Sequence, residues 1–161
     1  KIFWWRPHAE IVPYLLGMFD HPDEKLRRGA RNVLARNNHP AVRDLALARI
    51  SAGSLDDGGV QLLARNYRVG DHLLIEKSLP ADAGDERKLH SLCLRLVDVF
   101  QENGAADCAE SMRFVYERTP CSPCRYDAVE LLLAAGAATP ALVDECHFDA
   151  NLETRDLVAD R

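Results

Sequence analysis

Residues 23–30 read DEKLRRGA, and the pattern of this octet recurs three more times along the chain. The recurrences are HPAVRDLA at residues 39–46, CSPCRYDA at residues 121–128 and NLETRDLV at residues 151–158. Each begins with a residue suited to a helix N-cap or first turn, then has an inward position, an arginine, and a second inward position one turn later. This repetition predicts several short helices built on one plan, and therefore an all-α fold.

The physical chemistry of this helix-start box favours repeated packing. At the N-cap, Asp23 and Asn151 can accept hydrogen bonds from the free N–H groups of the first turn. The two inward residues lie four positions apart, so they share one face of the helix and can bury one stripe. The arginine lies at the edge of that stripe, where its stem can cover apolar surface while its head reaches an acidic group of the next repeat. The box arginines are Arg27, Arg43, Arg125 and Arg155.

Helical periodicity continues outside the boxes. Apolar residues recur every three or four positions in residues 88–103 and 106–118, and no segment shows the alternation that is typical of a β-strand. Prolines lie at or near most of the predicted helix starts, where they are tolerated. We therefore predict one domain over residues 1–161, with about nine or ten helices stacked as antiparallel pairs.

The middle of the chain is less regular. Residues 53–87 contain several glycines and Pro80, and we expect only short helices near residues 56–66 and 71–78. The loop at residues 79–84 is the candidate hinge. Near the first residue of the sequence, we expect the aromatic residues 3–5 to fold back onto the first helix pair.

A resemblance to a known family follows from these motifs. Residues 11–38, IVPYLLGMFDHPDEKLRRGARNVLARNN, resemble a HEAT repeat, with a proline near the start of the first helix, an aspartate in the turn and the arginine box in the second helix. Residues 140–159 resemble another repeat, and residues 123–135 resemble a second helix of the same kind. The resemblance implies an α-solenoid in which the aspartate and arginine of neighbouring repeats interact.

Composition restricts the class of protein. The chain has 161 residues, of which 47% are hydrophobic and 28% are charged, with a formal net charge of −5. No apolar run is long enough to span a membrane. The five cysteines are an odd number without the spacing of a disulfide framework, so we expect a reducing, cytoplasmic environment.

Cys121 and Cys124 admit three interpretations. Their Cys-x-Pro-Cys spacing is that of a redox dithiol, and Cys121 would lie at a helix N-terminus, which favours a thiolate. They could also supply two ligands of a zinc site with Cys146 as a third ligand. In the simplest interpretation they belong to the helix-start box, with Cys121 at the cap and Cys124 in the core.

The sequence contains none of the motifs that usually accompany catalysis. There is no Gly-x-Ser-x-Gly, no phosphate-binding glycine loop and no His-Glu-x-x-His. We therefore expect no catalytic residues and no cofactor, with zinc as the one metal for which ligands are present.

The basic residues raise the question of nucleic acid. Arg27, Arg28, Arg31 and Arg36 form a basic strip in one predicted helix. The acidic net charge argues against a dominant basic surface. We therefore expect a non-enzymatic scaffold that binds another protein, with a nucleic-acid-binding or DNA-processing protein on the same scaffold as the alternative.

Overall fold

The computed structural model describes residues 9–53, 55–81, 84–104 and 106–161. These residues form ten α-helices, preceded by a short 3-10 helix at Ala9–Ile11, and contain no strand. The α-helices are α1 (Val12–Gly17), α2 (Glu24–Leu34), α3 (Pro40–Ser51), α4 (Asp57–Gln61), α5 (Asp71–Lys77), α6 (Glu86–Asn103), α7 (Ala109–Arg118), α8 (Ser122–Ala134), α9 (Pro140–Cys146) and α10 (Leu152–Asp156). The predicted all-α class and number of helices are thus confirmed.

Helix boundaries follow the local sequence signals. Pro13 lies in the first turn of α1, so it starts that helix and does not kink it. Asp85 caps α6 by accepting hydrogen bonds from the N–H groups of Arg87 and Lys88, and Gly104 ends α6 with a φ of 86°. The irregular middle contains the two short helices α4 and α5, as predicted. The aromatic start lies outside the described residues, as do residues 82 and 83 of the loop interpreted as a hinge.

The helices are arranged in two layers. Within the chain, α1 packs on α2, α3 on α4, and α7 on α8 as antiparallel neighbours. Between these pairs, the odd-numbered helices α3, α5 and α7 contact one another in order, and the even-numbered helices α4, α6, α8 and α10 do the same. A continuous core runs between the layers and includes Leu34, Ile50, Leu63, Phe100 and Leu132, each less than 2% exposed. No helix among the described residues is long and apolar enough to cross a membrane.

The helix-start boxes cap their helices as predicted in three copies of four. The Asp23 carboxylate accepts hydrogen bonds from the N–H groups of Lys25 and Leu26. His39 accepts one through Nδ1 at 3.1 Å, and the Asn151 side chain accepts one at 3.0 Å. Cys121 occupies the N-cap of α8 without a capping hydrogen bond from its side chain.

Both inward positions are buried in three of the four copies of the box, and the exception is the first copy. The pairs Val42/Ala46, Cys124/Ala128 and Thr154/Val158 are all fully buried. Leu26 was expected to be buried, and this expectation is wrong, because its side chain is 48% exposed.

Two box arginines reach an acidic group of a neighbouring helix pair. Arg43 of α3 forms a bidentate ion pair with Asp71, the first residue of α5, with Nη2 2.7 Å from Oδ1. Arg125 of α8 binds Asp149, in the turn before α10, at 2.9 Å, and its guanidinium lies over the ring of Tyr116.

The other two box arginines do not bridge repeats. Arg27 donates to the backbone carbonyl oxygens of His21 and Pro22, in the turn before its own helix. The side chain of Arg155 has no hydrogen bond or ion pair with any described residue, which corrects the expectation that it interlocks with a neighbour.

A buried asparagine holds the irregular middle in register. Asn66 is 5% exposed, and its side-chain amide donates to the carbonyl oxygens of Asn37 and Leu62. Its side-chain oxygen accepts from the N–H of His39 at 2.9 Å, and its backbone carbonyl accepts from Arg43. One residue therefore links the end of α2, the start of α3 and the segment after α4.

Candidate functional site

The Cys121–Cys124 segment forms the first turn of α8. Thr119 is buried and its hydroxyl accepts a hydrogen bond from the N–H of Cys121 at 3.2 Å, which fixes the entry of the chain. Cys121 is the N-cap, and Pro123 lies in the first turn. Cys124 is the third residue of α8, and the sulfur atoms of Cys121 and Cys124 lie within 4.8 Å of each other.

The neighbouring helix α6 presents two further donors to this turn. His90 and Cys93 are three residues apart, so they lie on one face of α6. Cys93 is fully buried, whereas His90 is half-buried. Because α6 packs against both α7 and α8, this face lies beside the Cys121–Cys124 turn.

The structure brings three donor atoms together in one cluster. An imidazole nitrogen of His90 and the sulfur atoms of Cys121 and Cys124 all lie within 4.8 Å of one another. Cys93 lies one turn after His90 on the same face of α6, and its sulfur is more than 4.8 Å from at least one of these three atoms. We call His90, Cys93, Cys121 and Cys124 the thiol–imidazole cluster.

Burial controls the protonation of the cluster. It raises the pKa of Cys93 to about 11, with a further contribution from the nearby thiol of Cys121. Burial also raises the pKa of Cys124 to about 12, and the neighbouring Cys121 thiol adds to the effect. With no cation nearby, these two thiols are protonated at neutral pH and are weak nucleophiles.

Cys146 does not belong to this cluster, contrary to the expectation of a third ligand. It is the last residue of α9, and its thiol donates a hydrogen bond to the Tyr116 hydroxyl of α7 at 3.8 Å. The sulfur of Cys146 is therefore not among the donor atoms gathered at the start of α8. Cys108 is also separate, since its thiol donates to the carbonyl oxygen of Leu131.

Sequence reasoning missed His90 and Cys93 as members of the site. The available signal was the spacing, because His90-x-x-Cys93 has the same separation as Cys121-x-x-Cys124. Two donor pairs of this spacing are typical of structural zinc sites. The missing information was the register of α6 against α8, which the sequence does not give directly.

A second feature is a groove on the even-numbered layer. A cavity of about 740 Å³ lies between three parts of the chain: α2, the segment that contains α4, and α6. The side chains at its edge are amides and charged groups: Asn32, Arg36, Gln61, Arg65, Arg95, Asp98, Gln101 and Glu102. We call it the even-layer groove.

The charges in the even-layer groove are mostly paired. Arg65 binds Glu102 at 3.1 Å, and Arg95 binds Asp98 one turn along α6 at 2.8 Å. The amide of Gln61 donates to the side-chain oxygen of Asn32 at 3.1 Å, which joins α4 to α2. The groove therefore combines donors and acceptors with both signs of charge.

The basic strip predicted in α2 is divided among different environments. Arg27 is held by backbone carbonyls, and Arg31 lies over the ring of Phe19 while donating to its carbonyl oxygen at 3.0 Å. Arg28 is exposed, and Arg36 lines the even-layer groove. The four side chains therefore do not form one continuous basic surface.

Comparison with known proteins gives no assignment for this site. No family model matches the chain, and no curated protein or solved structure has significant similarity to it.

Proposed function

We propose that the chain is a non-enzymatic, HEAT-like α-solenoid module that binds an extended segment of another protein in the even-layer groove. The observation on which this rests is the groove itself, a cavity of about 740 Å³ edged by amides and by charges of both signs. Stacked helix pairs commonly present one layer as an extended binding surface.

The packing of the helices supports the solenoid architecture. Odd-numbered helices contact odd-numbered helices, and even-numbered helices contact even-numbered ones, as expected for stacked antiparallel pairs. The Arg125–Asp149 ion pair joins a second helix to the turn of the following pair. This is the relationship that the HEAT resemblance implies between neighbouring repeats.

The lining of the groove favours a polypeptide. An extended peptide presents alternating N–H donors and C=O acceptors, and a side-chain amide can pair with both. Gln101 offers such an amide, and Asn32 and Gln61, which share one hydrogen bond, retain the Asn32 N–H donors and the Gln61 oxygen. Charged groups of both signs at the edge could then select among peptide side chains.

The charge distribution disfavours nucleic acid. A phosphate backbone requires a surplus of unpaired cations, yet Arg65 and Arg95 are bound to Glu102 and Asp98. These two carboxylates would also repel phosphate.

Selection of peptides on the full chain tests the proposal. We expect a phage-displayed library of random linear peptides to yield ligands whose binding is lost in the groove double variant Arg36→Ala/Gln101→Ala. The matched control is Lys77→Ala/Arg118→Ala, which removes two exposed side chains from the odd-numbered layer and should leave binding unchanged.

Two results would contradict the proposal. One is peptide binding that responds to the odd-layer control and not to the groove variant. The other is tight, salt-dependent binding of single- or double-stranded oligonucleotides that the groove variant abolishes, which would favour the nucleic-acid alternative.

A further inference from the structure

We propose that the thiol–imidazole cluster is a structural zinc site with four protein ligands: His90, Cys93, Cys121 and Cys124. This inference is independent of the peptide-binding proposal, because the cluster lies at the start of α8 and shares no residue with the even-layer groove.

The positions of the donor atoms fit one tetrahedral ion. Zinc binds thiolate sulfur at about 2.3 Å and imidazole nitrogen at about 2.0–2.1 Å, so its ligand atoms lie roughly 3.5–3.8 Å apart. The donor atoms of His90, Cys121 and Cys124 already lie within 4.8 Å of one another.

Cys93 is the fourth ligand that the packing supplies. It lies one turn after His90 on the same face of α6 and is fully buried, and its sulfur is more than 4.8 Å from at least one of the other three donor atoms. The four donors therefore come as two pairs with the same spacing, one from the middle of a helix and one from a helix start. Structural zinc sites are commonly assembled from such pairs.

The donor set selects the class of metal. Three thiols and one imidazole are soft or borderline ligands that favour zinc over magnesium or calcium, which prefer oxygen. Four protein ligands would leave no open position for water, as in structural and not catalytic zinc sites. Cys93 and Cys124 are fully buried, whereas His90 and Cys121 are half-buried and give the ion a route of entry.

Zinc binding would also change the protonation of the cluster. Zinc is bound by thiolate sulfur, so its binding would release the protons of the cysteine thiols. A divalent cation would replace their protons and compensate the negative charge. The site would tie α6 to α8, and so would fasten the irregular middle of the chain to the regular C-terminal pairs.

The competing interpretation is a redox dithiol at Cys121 and Cys124. It uses only two of the four donors and leaves the positions of His90 and Cys93 without explanation. The two interpretations also differ in what is measured, because a disulfide lowers the mass of the chain by two hydrogens and binds no metal.

The test uses the full chain, reduced and treated with a chelator, and titrated with cobalt(II) as a spectroscopic substitute for zinc. We expect one equivalent of cobalt to give the visible bands of a tetrahedral ion together with a thiolate-to-cobalt charge-transfer band. Zinc should displace the cobalt and abolish both signals. Elemental analysis of the protein purified without chelator should give one zinc per chain.

Variants distinguish metal binding at the thiol–imidazole cluster from nonspecific metal binding by the other cysteines. Cys121→Ser and His90→Ala change half-buried side chains, so the fold should persist, as circular dichroism can verify. Each should weaken cobalt affinity by more than about a hundredfold, because even outer-shell partners of a metal ligand contribute roughly 10–100-fold. The matched controls Cys108→Ala and Cys146→Ala remove buried thiols outside the cluster and should leave the spectrum and the affinity unchanged.

Three results would overturn the zinc site. The first is the absence of a tetrahedral cobalt spectrum in the reduced wild-type chain. The second is a spectrum that survives both Cys121→Ser and His90→Ala. The third is a purified protein that contains no zinc and has a Cys121–Cys124 disulfide.

Discussion

Arg43 of α3 and Asp71 of α5 form a bidentate ion pair in which both side chains are nearly buried, at 13% and 10% exposure. The same guanidinium donates to the carbonyl oxygen of Asn66, and the carboxylate also accepts from the N–H of Arg68. The pair therefore joins two successive odd-numbered helices at the least regular part of the chain.

Removing Arg43 should destabilise the fold strongly. Arg43→Ala would leave the Asp71 carboxylate buried without its partner, and breaking such a pair costs about 3 kcal/mol or more. Urea unfolding measures the loss. The matched control is Arg113→Ala, which breaks the exposed pair with Glu110 and should cost less than about 1 kcal/mol. Equal effects of the two variants would show that the Arg43–Asp71 pair is solvated like a surface pair.

The same pair should make stability depend on pH in the acid range. Burial raises the pKa of Asp71, but the hydrogen bonds from Arg43 and the N–H of Arg68 outweigh it and lower that pKa below its ordinary value. The unfolded chain therefore binds a proton more readily at this site. The stabilisation is complete above the unfolded pKa of about 4 and is lost as the pH falls through the lower folded pKa.

Asp71→Asn isolates this contribution. The variant should lose stability at neutral pH, and its unfolding free energy should fall less steeply than that of the wild type as the pH drops below about 4. The exposed Asp160→Asn serves as a control and should retain the wild-type slope. Parallel curves for Asp71→Asn and the wild type would contradict the assigned role of Asp71.

Substitution at Cys124 should distinguish its core position from the cap position of Cys121. In the metal-free protein, Cys124→Ser would place a hydroxyl in a site with no exposure and should cost about 1–3 kcal/mol. Cys121→Ser, at the half-buried N-cap, should cost less, because serine is a favourable N-cap residue. Chelator-treated samples in thermal unfolding give the comparison. A larger loss of stability for Cys121→Ser than for Cys124→Ser would contradict the assignment of Cys124 to the core and Cys121 to the cap.

Arg125 and Arg155 should respond differently although both occupy the same place in the helix-start box. Arg125→Ala would lose the ion pair with Asp149 and the stacking on Tyr116, at a cost of about 1–3 kcal/mol. Arg155→Ala should change stability by no more than about 0.5 kcal/mol, because Arg155 has no described partner. A double-mutant cycle with Asp149→Ala should give a coupling of about 0.5 kcal/mol or more for Arg125, and none for Arg155. Equal costs for both variants would argue that the box arginine acts within its own helix.

Local features of the fold were predictable from sequence because they depend on a few neighbouring residues. The caps at Asp23, His39 and Asn151 and the end of α6 at Gly104 all follow from short-range chemistry. The exposure of Leu26 was not predictable, because the box gives the face of the helix on which a residue lies and not whether a neighbour covers it.

The candidate metal site was only half predictable for a similar reason. The Cys121–Cys124 pair is visible in the sequence, but its partners come from a helix that begins more than thirty positions earlier in the chain. Which face of α6 meets α8 depends on packing across the even-numbered layer. Cys146 was a reasonable candidate by proximity in sequence, yet the tertiary arrangement places it beside Tyr116.

The central claim is that the even-layer groove binds an extended peptide, and amide chemical-shift mapping tests it most directly. The isotope-labelled full chain would be titrated with a peptide selected from the random library. The account predicts shifts concentrated in α2, the segment of α4 and α6, around Asn32, Gln61 and Gln101. Shifts concentrated in the odd-numbered helices α3, α5 and α7, with the groove residues unchanged, would contradict it.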